Sequence, residues 1–325
     1  MTKPQIFAHS WLPEDVKERL DQKFLLDVHN SFESILSGEE LIARVKGVNG
    51  IIVQGPIIDL PLINSCSGTL KIVSNVAVGV DNISVDECTA NKIIVTNTPD
   101  ILTDAVADLS MGLLLSVARR IPEGERMVRQ DKFQGNPFPL LWGSDLKGEV
   151  LGIIGMGRIG QALAKRALPF GLDIKYYSRN RVGENIENEL RAEWLNLNEL
   201  LSRSKFIVIL CPLTSETKHL IAKDELELMR SDSFLINVAR GPIVKESDLV
   251  SALKNKLIAG CALDVYEFEP KYDKDLAGMD NVVLTPHAGS ASVGARTGMV
   301  KLAAHNIETY FKNGKVPNAV NPEIL

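Results

Sequence analysis

Short runs rich in valine and isoleucine recur along the chain, separated by stretches with apolar residues at helical spacing and by Gly, Pro or Asn. Parallel strands covered by helices on both faces give this rhythm: the strands are apolar throughout, the helices along one stripe. The first part predicts strands over 5–8, 50–54, 71–74 and 93–96, with helices such as 14–24 and 39–45 between them. A long helical pattern follows over 103–129, kinked near Pro122, and then a polar and aromatic connector over 132–148. Further strands over 150–154, 173–177, 206–210, 233–237, 260–264 and 282–285 suffice for a doubly wound dinucleotide sheet, and an amphipathic helix over 292–313 comes after them. The pattern is α/β throughout.

At 325 residues the chain has room for two such domains. Its formal net charge is −5 and no block of Lys or Arg accumulates, so the electrostatic footprint of nucleic-acid binding is missing. No apolar run reaches the roughly 18 residues that suggest a membrane span. The opening segment, with Ile6, Phe7 and Ala8 before His9, reads as a strand and not as a signal peptide. Cys66, Cys88, Cys211 and Cys261 are scattered without metal spacing or a Cys-x-x-Cys pair, which points to a reducing cytoplasm and to no metal site.

Gly155-Met156-Gly157-Arg158-Ile159-Gly160 follows the strand over 150–154 and opens a helix over 158–168. Glycines there let the backbone turn tightly and approach a pyrophosphate, which the free amides and dipole of the helix N-terminus stabilise. A tight structural turn is the plainer alternative, but the strand-to-helix context favours a dinucleotide. Sites for NAD usually place an acid at the end of the next strand, where it accepts from the ribose 2′-hydroxyl. Here that place holds Ser178-Arg179-Asn180-Arg181, a hydroxyl and two guanidinium groups that suit a 2′-phosphate. NADP is therefore expected over NAD, with solvated surface arginines as the alternative reading.

Three later segments each fall at the C-terminal end of a predicted strand: Asn237-Val238-Ala239-Arg240-Gly241-Pro242, Leu263-Asp264-Val265-Tyr266-Glu267-Phe268-Glu269-Pro270, and Thr285-Pro286-His287-Ala288-Gly289-Ser290. That edge is where open α/β sheets bind ligands. Singly, Arg240 reads equally well as a surface ion-pair residue, Glu269 as a loop acid and His287 as a packed polar residue. Together they offer what hydride transfer to a 2-oxo acid needs: a planar cation, a proton donor and a carboxylate to tune that donor.

With Val76-Ala77-Val78-Gly79-Val80-Asp81-Asn82-Ile83, Asn97-Thr98-Pro99 through Ala107-Asp108, and Cys211-Pro212-Leu213-Thr214 with Thr217, the chain resembles the D-isomer-specific 2-hydroxyacid dehydrogenase family over nearly its whole length. Within it, the likeness is strongest to glyoxylate, hydroxypyruvate and 2-ketogluconate reductases. The resemblance implies two Rossmann-like doubly wound parallel-sheet domains with a substrate cleft between them. One is formed by 1–102 and completed by 288–325; the other, over 103–287, binds the dinucleotide.

The resemblance also implies roles. His287 becomes the general acid and base, Glu269 its partner, and Arg240 the bridge to the substrate carboxylate and carbonyl. Backbone amides of Val78 and Gly79 receive the carboxylate, and Ser290 reaches the substrate. Gly155, Gly157, Arg158, Ile159 and Gly160 hold the pyrophosphate, Ser178, Arg179 and Arg181 the 2′-phosphate, Asp264 the nicotinamide amide, and Thr103, Pro212, Thr217 and Ala239 line the cofactor. A homodimer built on the long helix and the connector is implied as well.

His9, His29, His219 and His305 match no catalytic position of the family and are read as surface or packing residues. Trp142 lies two residues beyond the place, near Leu140, where some relatives carry a Trp that reaches the neighbouring subunit's substrate. Glu269 stands where the formate-oxidising relatives carry Gln. From another class, some relatives are dinucleotide-sensing corepressors that keep the triad; no basic tail or recognition module here supports that reading. The preferred 2-oxo acid is not legible from motifs.

Overall fold

A computed structural model describes residues 3–30, 34, 36–135 and 137–325. The chain divides into two compact units, Met1–Leu102 with Ser292–Leu325, and Thr103–Ala291.

The first unit is built on five parallel strands, β1 (Gln5–His9), β2 (Leu25–His29), β3 (Gly50–Val53), β4 (Ile72–Asn75) and β5 (Ile94–Thr96), in the order β2-β1-β3-β4-β5. The inner strands β3 and β4 are buried at every position, which is why they read as apolar runs. Strand β2 was not expected. Its sequence Leu25-Leu26-Asp27-Val28-His29 carries a charge in the middle and is buried only at His29, as an edge strand permits.

The helix Val293–Asn313, the last of the chain, belongs to this first unit. The Ser292 hydroxyl caps it by accepting from the Ala295 amide at 3.1 Å. It packs closely on the sheet: a Cβ on Gly50 would stand 3.2 Å from Ile307 Cδ1, and Ser74 Oγ donates to the Ala303 carbonyl at 3.0 Å. The chain therefore leaves the first sheet, builds a second, and returns.

The second unit holds seven parallel strands, β6 (Val150–Ile154), β7 (Asp173–Tyr177), β8 (Glu193–Trp194), β9 (Phe206–Ile209), β10 (Phe234–Asn237), β11 (Gly260–Leu263) and β12 (Val282–Leu284). Their order is β12-β11-β10-β9-β6-β7-β8. Only the two-residue β8 lacks a counterpart in the sequence pattern, being too short to show a period. The helical stretch near Pro122 is two helices, Thr103–Ala118 and Ile121–Arg129, with Arg120 left-handed at φ +53° between them. Among the described residues, no helix is long and apolar enough to cross a membrane.

Strand order reverses at β6, which pairs with β7 on one side and β9 on the other. Crossovers diverge there and leave a crevice at the C-terminal ends of the strands. Because all seven strands are parallel, Gly155, Ser178, Leu210, Val238, Asp264 and Thr285, each next after its strand, share that edge. The unit extends past His287 to Ala291, four residues further than the sequence suggested, because the amides of Ala288 and Gly289 are tied to Asp264.

Candidate active site

At the switch point, Gly155 has φ +105° and its missing Cβ would lie 2.6 Å from the Cys211 amide nitrogen, in the loop after β9. Gly160 lies against the Gly155 carbonyl so closely that any Cβ would overlap it. These two glycines are demanded by the protein's own packing. Gly157 is different: a Cβ there meets no protein atom within 4 Å, and its φ of −76° is open to any residue. It is also the N-cap of the helix Arg158–Ala167, whose first amides receive no side-chain cap from it. A glycine that no protein contact requires, at an uncapped helix N-terminus, fits a pyrophosphate approaching the backbone.

At the end of β7 the Ser178 hydroxyl accepts from the Met156 amide at 2.8 Å, joining the glycine turn to the next strand. Arg179 is largely exposed and gives one hydrogen bond to Glu216 Oε2 at 3.1 Å. Arg181 is engaged by both arms, Nε and Nη2 donating to Glu187 at 2.7 and 2.6 Å, while Tyr176 Oη donates to the same carboxylate at 2.7 Å. The hydrogen bonds from Arg181 and Tyr176 hold the Glu187 carboxyl below its ordinary range. The two arginines singled out for a 2′-phosphate therefore differ: one reaches into solvent, the other anchors a buried acid. In the loop after β9, Thr217 Oγ1 donates to the Pro212 carbonyl at 2.7 Å and accepts from the Thr214 amide.

Arg240 sits just past β10 in a turn shaped by Asn237, whose Nδ2 donates to the Arg240 carbonyl at 2.9 Å and whose Oδ1 accepts from the Ala239 amide at 3.1 Å. Gly241 is pressed against the Tyr266 carbonyl, leaving no room for a side chain. That contact seats the Arg240 turn against the loop that carries Glu269.

His287 Nδ1 and Glu269 Oε2 lie 2.8 Å apart, and Glu269 Oε1 accepts from the Tyr266 amide at 3.0 Å. The hydrogen bond to Glu269 raises the His287 pKa against the opposing effect of burial, with the Glu269 charge adding to the rise. Burial works to raise the Glu269 pKa, but the hydrogen bond from His287, its charge, the Tyr266 amide and Arg240 outweigh it, and the carboxyl lies below its ordinary value. Both shifts favour an imidazolium–carboxylate pair.

His287 is left-handed, at φ +52°. Such a backbone costs a non-glycine residue about 1–3 kcal/mol and persists only where its surroundings enforce it. Asp264 does so. Its buried carboxylate accepts from Thr285 Oγ1 at 2.6 Å, the Ala288 amide at 2.7 Å and the Gly289 amide at 2.8 Å, and its carbonyl accepts from the His287 amide at 2.8 Å. Asp264 is thus the clasp of the turn that presents His287.

Residues 111–289 match the family model described as the D-isomer specific 2-hydroxyacid dehydrogenase, NAD binding domain. A glyoxylate reductase of Pyrococcus horikoshii is 46% identical over 99% of this chain and 97% of the relative. One from Thermococcus onnurineus is 44% identical over the same shares. The chain belongs to the D-isomer specific 2-hydroxyacid dehydrogenase family.

Among solved structures, it is similar to the NADPH-dependent glyoxylate/hydroxypyruvate reductase of Sinorhizobium meliloti in complex with NADP and malonate. That likeness is at 34% identity and a TM-score of 0.86, covering 98% of this chain and 97% of the other. A glyoxylate reductase from Paecilomyes thermophila aligns at 27% identity and a TM-score of 0.89, covering 99% of each chain. The second unit is thus the nicotinamide-dinucleotide-binding domain of a 2-hydroxyacid dehydrogenase.

Within this dehydrogenase, the remaining expected residues stand as follows. Thr103 begins the helix Thr103–Ala118, Arg158 and Ile159 begin the helix after the glycine turn, Ala239 precedes Arg240, and Ser290 follows the Asp264-bound amides. Val78 and Gly79 lie in the first unit, in the turn after β4. Among the described residues no group of three or more His, Cys, Asp or Glu is arranged to hold a metal ion.

Sequence reasoning gave no role to Asn237, which opens the Arg240 segment and has no signal beyond closing an apolar strand. It also passed over His219, read as a surface or packing residue. His219 Nε2 and Glu267 Oε1 are 2.7 Å apart, a second histidine–carboxylate pair, and the His219 amide donates to the Pro242 carbonyl at 2.8 Å. Glu267 and Glu246 are in turn strapped together, each carboxylate accepting from the other's backbone amide at 2.9 and 3.1 Å. His219 thereby links the segment beside Arg240 to the loop bearing Glu269.

Proposed function

We propose that the chain catalyses NADPH-dependent reduction of a small 2-oxo acid, among glyoxylate, hydroxypyruvate and 2-ketogluconate, to the D-2-hydroxy acid. The observation that carries this reading is the His287–Glu269 pair, 2.8 Å long and polarised toward the charged form, at the sheet edge that also carries the glycine turn and Arg240. A bound nicotinamide dinucleotide supplies the hydride. His287, held at Nδ1 by Glu269, gives the proton on Nε2 to the carbonyl oxygen. Arg240 meets the carboxylate and carbonyl of the substrate with its planar fork, the amides of Val78 and Gly79 receive the same carboxylate, and Ser290 reaches the substrate.

Gly155, Gly157, Arg158, Ile159 and Gly160 seat the pyrophosphate, and Thr103, Pro212, Thr217, Ala239 and Asp264 line the rest of the dinucleotide. The preference for NADPH rests on Ser178 and Arg179, with Arg181 behind them, at the place where NAD sites carry an acid. The NADPH dependence of the Sinorhizobium relative and the glyoxylate reductases among the archaeal relatives support the choice of cofactor and substrate.

The same reading assigns a second copy of this chain as partner. Ile121, Val128, Phe133, Phe138 and Trp142 are exposed along the helix Ile121–Arg129 and the connector after it, and Phe138 and Trp142 pack edge to face with ring centroids 5.3 Å apart. Position 136 of that connector lies outside the described residues. Large exposed apolar side chains gathered on one segment support a protein-contacting surface there.

The testing experiment follows absorbance of the reduced nicotinamide with NADPH or NADH against glyoxylate, hydroxypyruvate, 2-ketogluconate and pyruvate. Rapid NADPH oxidation with one of the first three is the expected result. Faster oxidation of NADH overturns the cofactor assignment, and silence with every acid despite dinucleotide binding overturns the enzyme. Sedimentation of the purified chain at twice the monomer mass is expected; a monomer removes the partner.

A further inference from the structure

In the first unit, three consecutive carbonyls in the turn after β4 are each held by a different donor. The Ala77 carbonyl accepts from the Thr98 amide at 2.9 Å, the Val78 carbonyl from Asn97 Nδ2 at 2.9 Å, and the Gly79 carbonyl from Asn75 Nδ2 at 2.8 Å. The only cis peptide among the described residues is Glu269–Pro270, so the three peptides that follow these carbonyls are trans and planar. In a planar trans peptide the N–H points opposite to the C=O before it. The N–H groups of Val78, Gly79 and Val80 are consequently directed away from the residues that hold their carbonyls. Successive amides of one turn, where they converge, form an anion-binding nest.

Asn75 is fully buried at the end of β4, and its Oδ1 has no hydrogen-bond partner in the protein. Its amide thus serves through its donor side alone, to Gly79 and, at 3.3 Å, to Asn82 Oδ1. Asn82 Nδ2 passes the connection on to the Pro56 carbonyl at 3.1 Å. Asn97 is fixed through its own backbone, its amide donating to the Asn318 carbonyl at 3.3 Å and its carbonyl accepting from Asn306 Nδ2 at 3.4 Å. Both tethers are neutral carboxamides. An aspartate at either place would set an acceptor against a carbonyl and a negative charge beside the anion, whereas Asn supplies the donor without the charge.

We propose that Asn75 and Asn97 are positioning residues for substrate: by holding the carbonyls of Gly79 and Val78 they keep three successive amides, 78 to 80, converged on the substrate carboxylate. This rests on the reading of that turn as the carboxylate seat of a 2-oxo acid reductase, and it adds Val80 to the amides assigned there. The proton and the hydride move elsewhere, so loss of either tether weakens substrate binding and leaves the chemical step in place.

The test is steady-state kinetics with NADPH and glyoxylate on the wild type, Asn97→Ala and Asn75→Ala, with NADPH affinity by fluorescence and Tm for each. Asn97→Ala is the decisive variant, since its side chain is only partly buried and its backbone bonds survive the change. The expected result is KM for glyoxylate raised about tenfold or more, the loss of roughly one charge-assisted hydrogen bond, with kcat within about threefold and NADPH affinity unchanged. KM within twofold of wild type in Asn97→Ala, or kcat and KM altered together with NADPH affinity, overturns the positioning role while leaving the reductase reading intact. A wild type that turns over none of the 2-oxo acids overturns both.

Discussion

Arg181 grips Glu187 with two hydrogen bonds, 2.7 and 2.6 Å, against a carboxylate that is itself 8% exposed and also bound by Tyr176. Arg179, two residues earlier, extends into solvent with one long bond to Glu216. Two arginines that look equivalent in sequence are thus asked to do different things. Arg179→Ala is expected to weaken NADPH binding about tenfold or more and to leave NADH binding within twofold, the scale of losing a charge-assisted pair to phosphate. Arg181→Ala is expected to lower Tm by stripping Glu187 of its cation, with a smaller change in selectivity. Fluorescence titration of both dinucleotides and a melting curve for each variant check this; equal losses of NADPH and NADH in Arg179→Ala remove the selectivity argument.

Gly157 and Gly160 separate binding from folding. Gly160→Ala overlaps the Gly155 carbonyl and is expected to melt well below wild type. The Cβ of Gly157→Val has no protein atom within 4 Å, so Tm is expected to stay within a few degrees while dinucleotide affinity falls at least about tenfold. Thermal melts beside dinucleotide titrations measure both, and a Gly157→Val protein that still binds at wild-type strength would mean the helix N-terminus is not the pyrophosphate seat.

For His287 the sign of the pH dependence follows from its raised pKa. Reduction needs the protonated ring, so the rate is full at pH below the raised value and falls as pH climbs through it. Glu269→Gln removes the neighbouring charge, returns the ring toward about 6.5, and moves that fall to lower pH. His287→Ala is expected to lose about 10²- to 10⁴-fold in kcat, with dinucleotide affinity little changed. Rate profiles from pH 5 to 9 decide the matter. A basic limb that does not move in Glu269→Gln would falsify the pairing. As a contribution to stability, the His287 bond is present below the unfolded histidine pKa and lost as pH rises through the folded one. The Glu269 side is present above its unfolded pKa and lost as pH falls through its depressed folded value. Between those limits the pair is fully formed.

His219 is expected to matter although it stands apart from the His287 pair. Its bond to Glu267 stabilises the loop on which Glu269 is carried two residues later. His219→Ala is expected to reduce kcat about tenfold, in keeping with a lost hydrogen bond to a charged group. His219→Gln, able to donate to the same carboxylate, recovers most of that. Turnover in His219→Ala equal to wild type would return the residue to ordinary packing.

Much of this protein was legible in one dimension. Strand and helix periods located ten of the twelve strands within a residue or two and separated the two sheets, because burial on both faces forces continuous apolar runs and a parallel link forces a helix between them. The edge strands β2 and β8 escaped, since solvent on one side relaxes that demand and admits Asp27 in β2, and β8 is only two residues long. Ordered motifs likewise marked Gly155, Arg240, Glu269 and His287, because strand-end turns need special residues that the flanking apolar runs make conspicuous.

What only the tertiary structure decided is which polar atoms meet. Glu269 and His287 are 18 positions apart, and so their 2.8 Å bond depends on two parallel strands ending at one level. Nothing in the spacing distinguishes Arg179 from Arg181 or Gly157 from Gly160, or reveals that Asp264 clasps the His287 turn. Each of these turns on a partner supplied from elsewhere in the chain: Glu187, the Gly155 carbonyl, the amides of Ala288 and Gly289. Periodicity records how much of a segment is buried, and sequence alone settled the architecture and the residue types at the sheet edge. Hydrogen bonds are short and directional, so their pairing exists only once the strands and turns have been brought to their places.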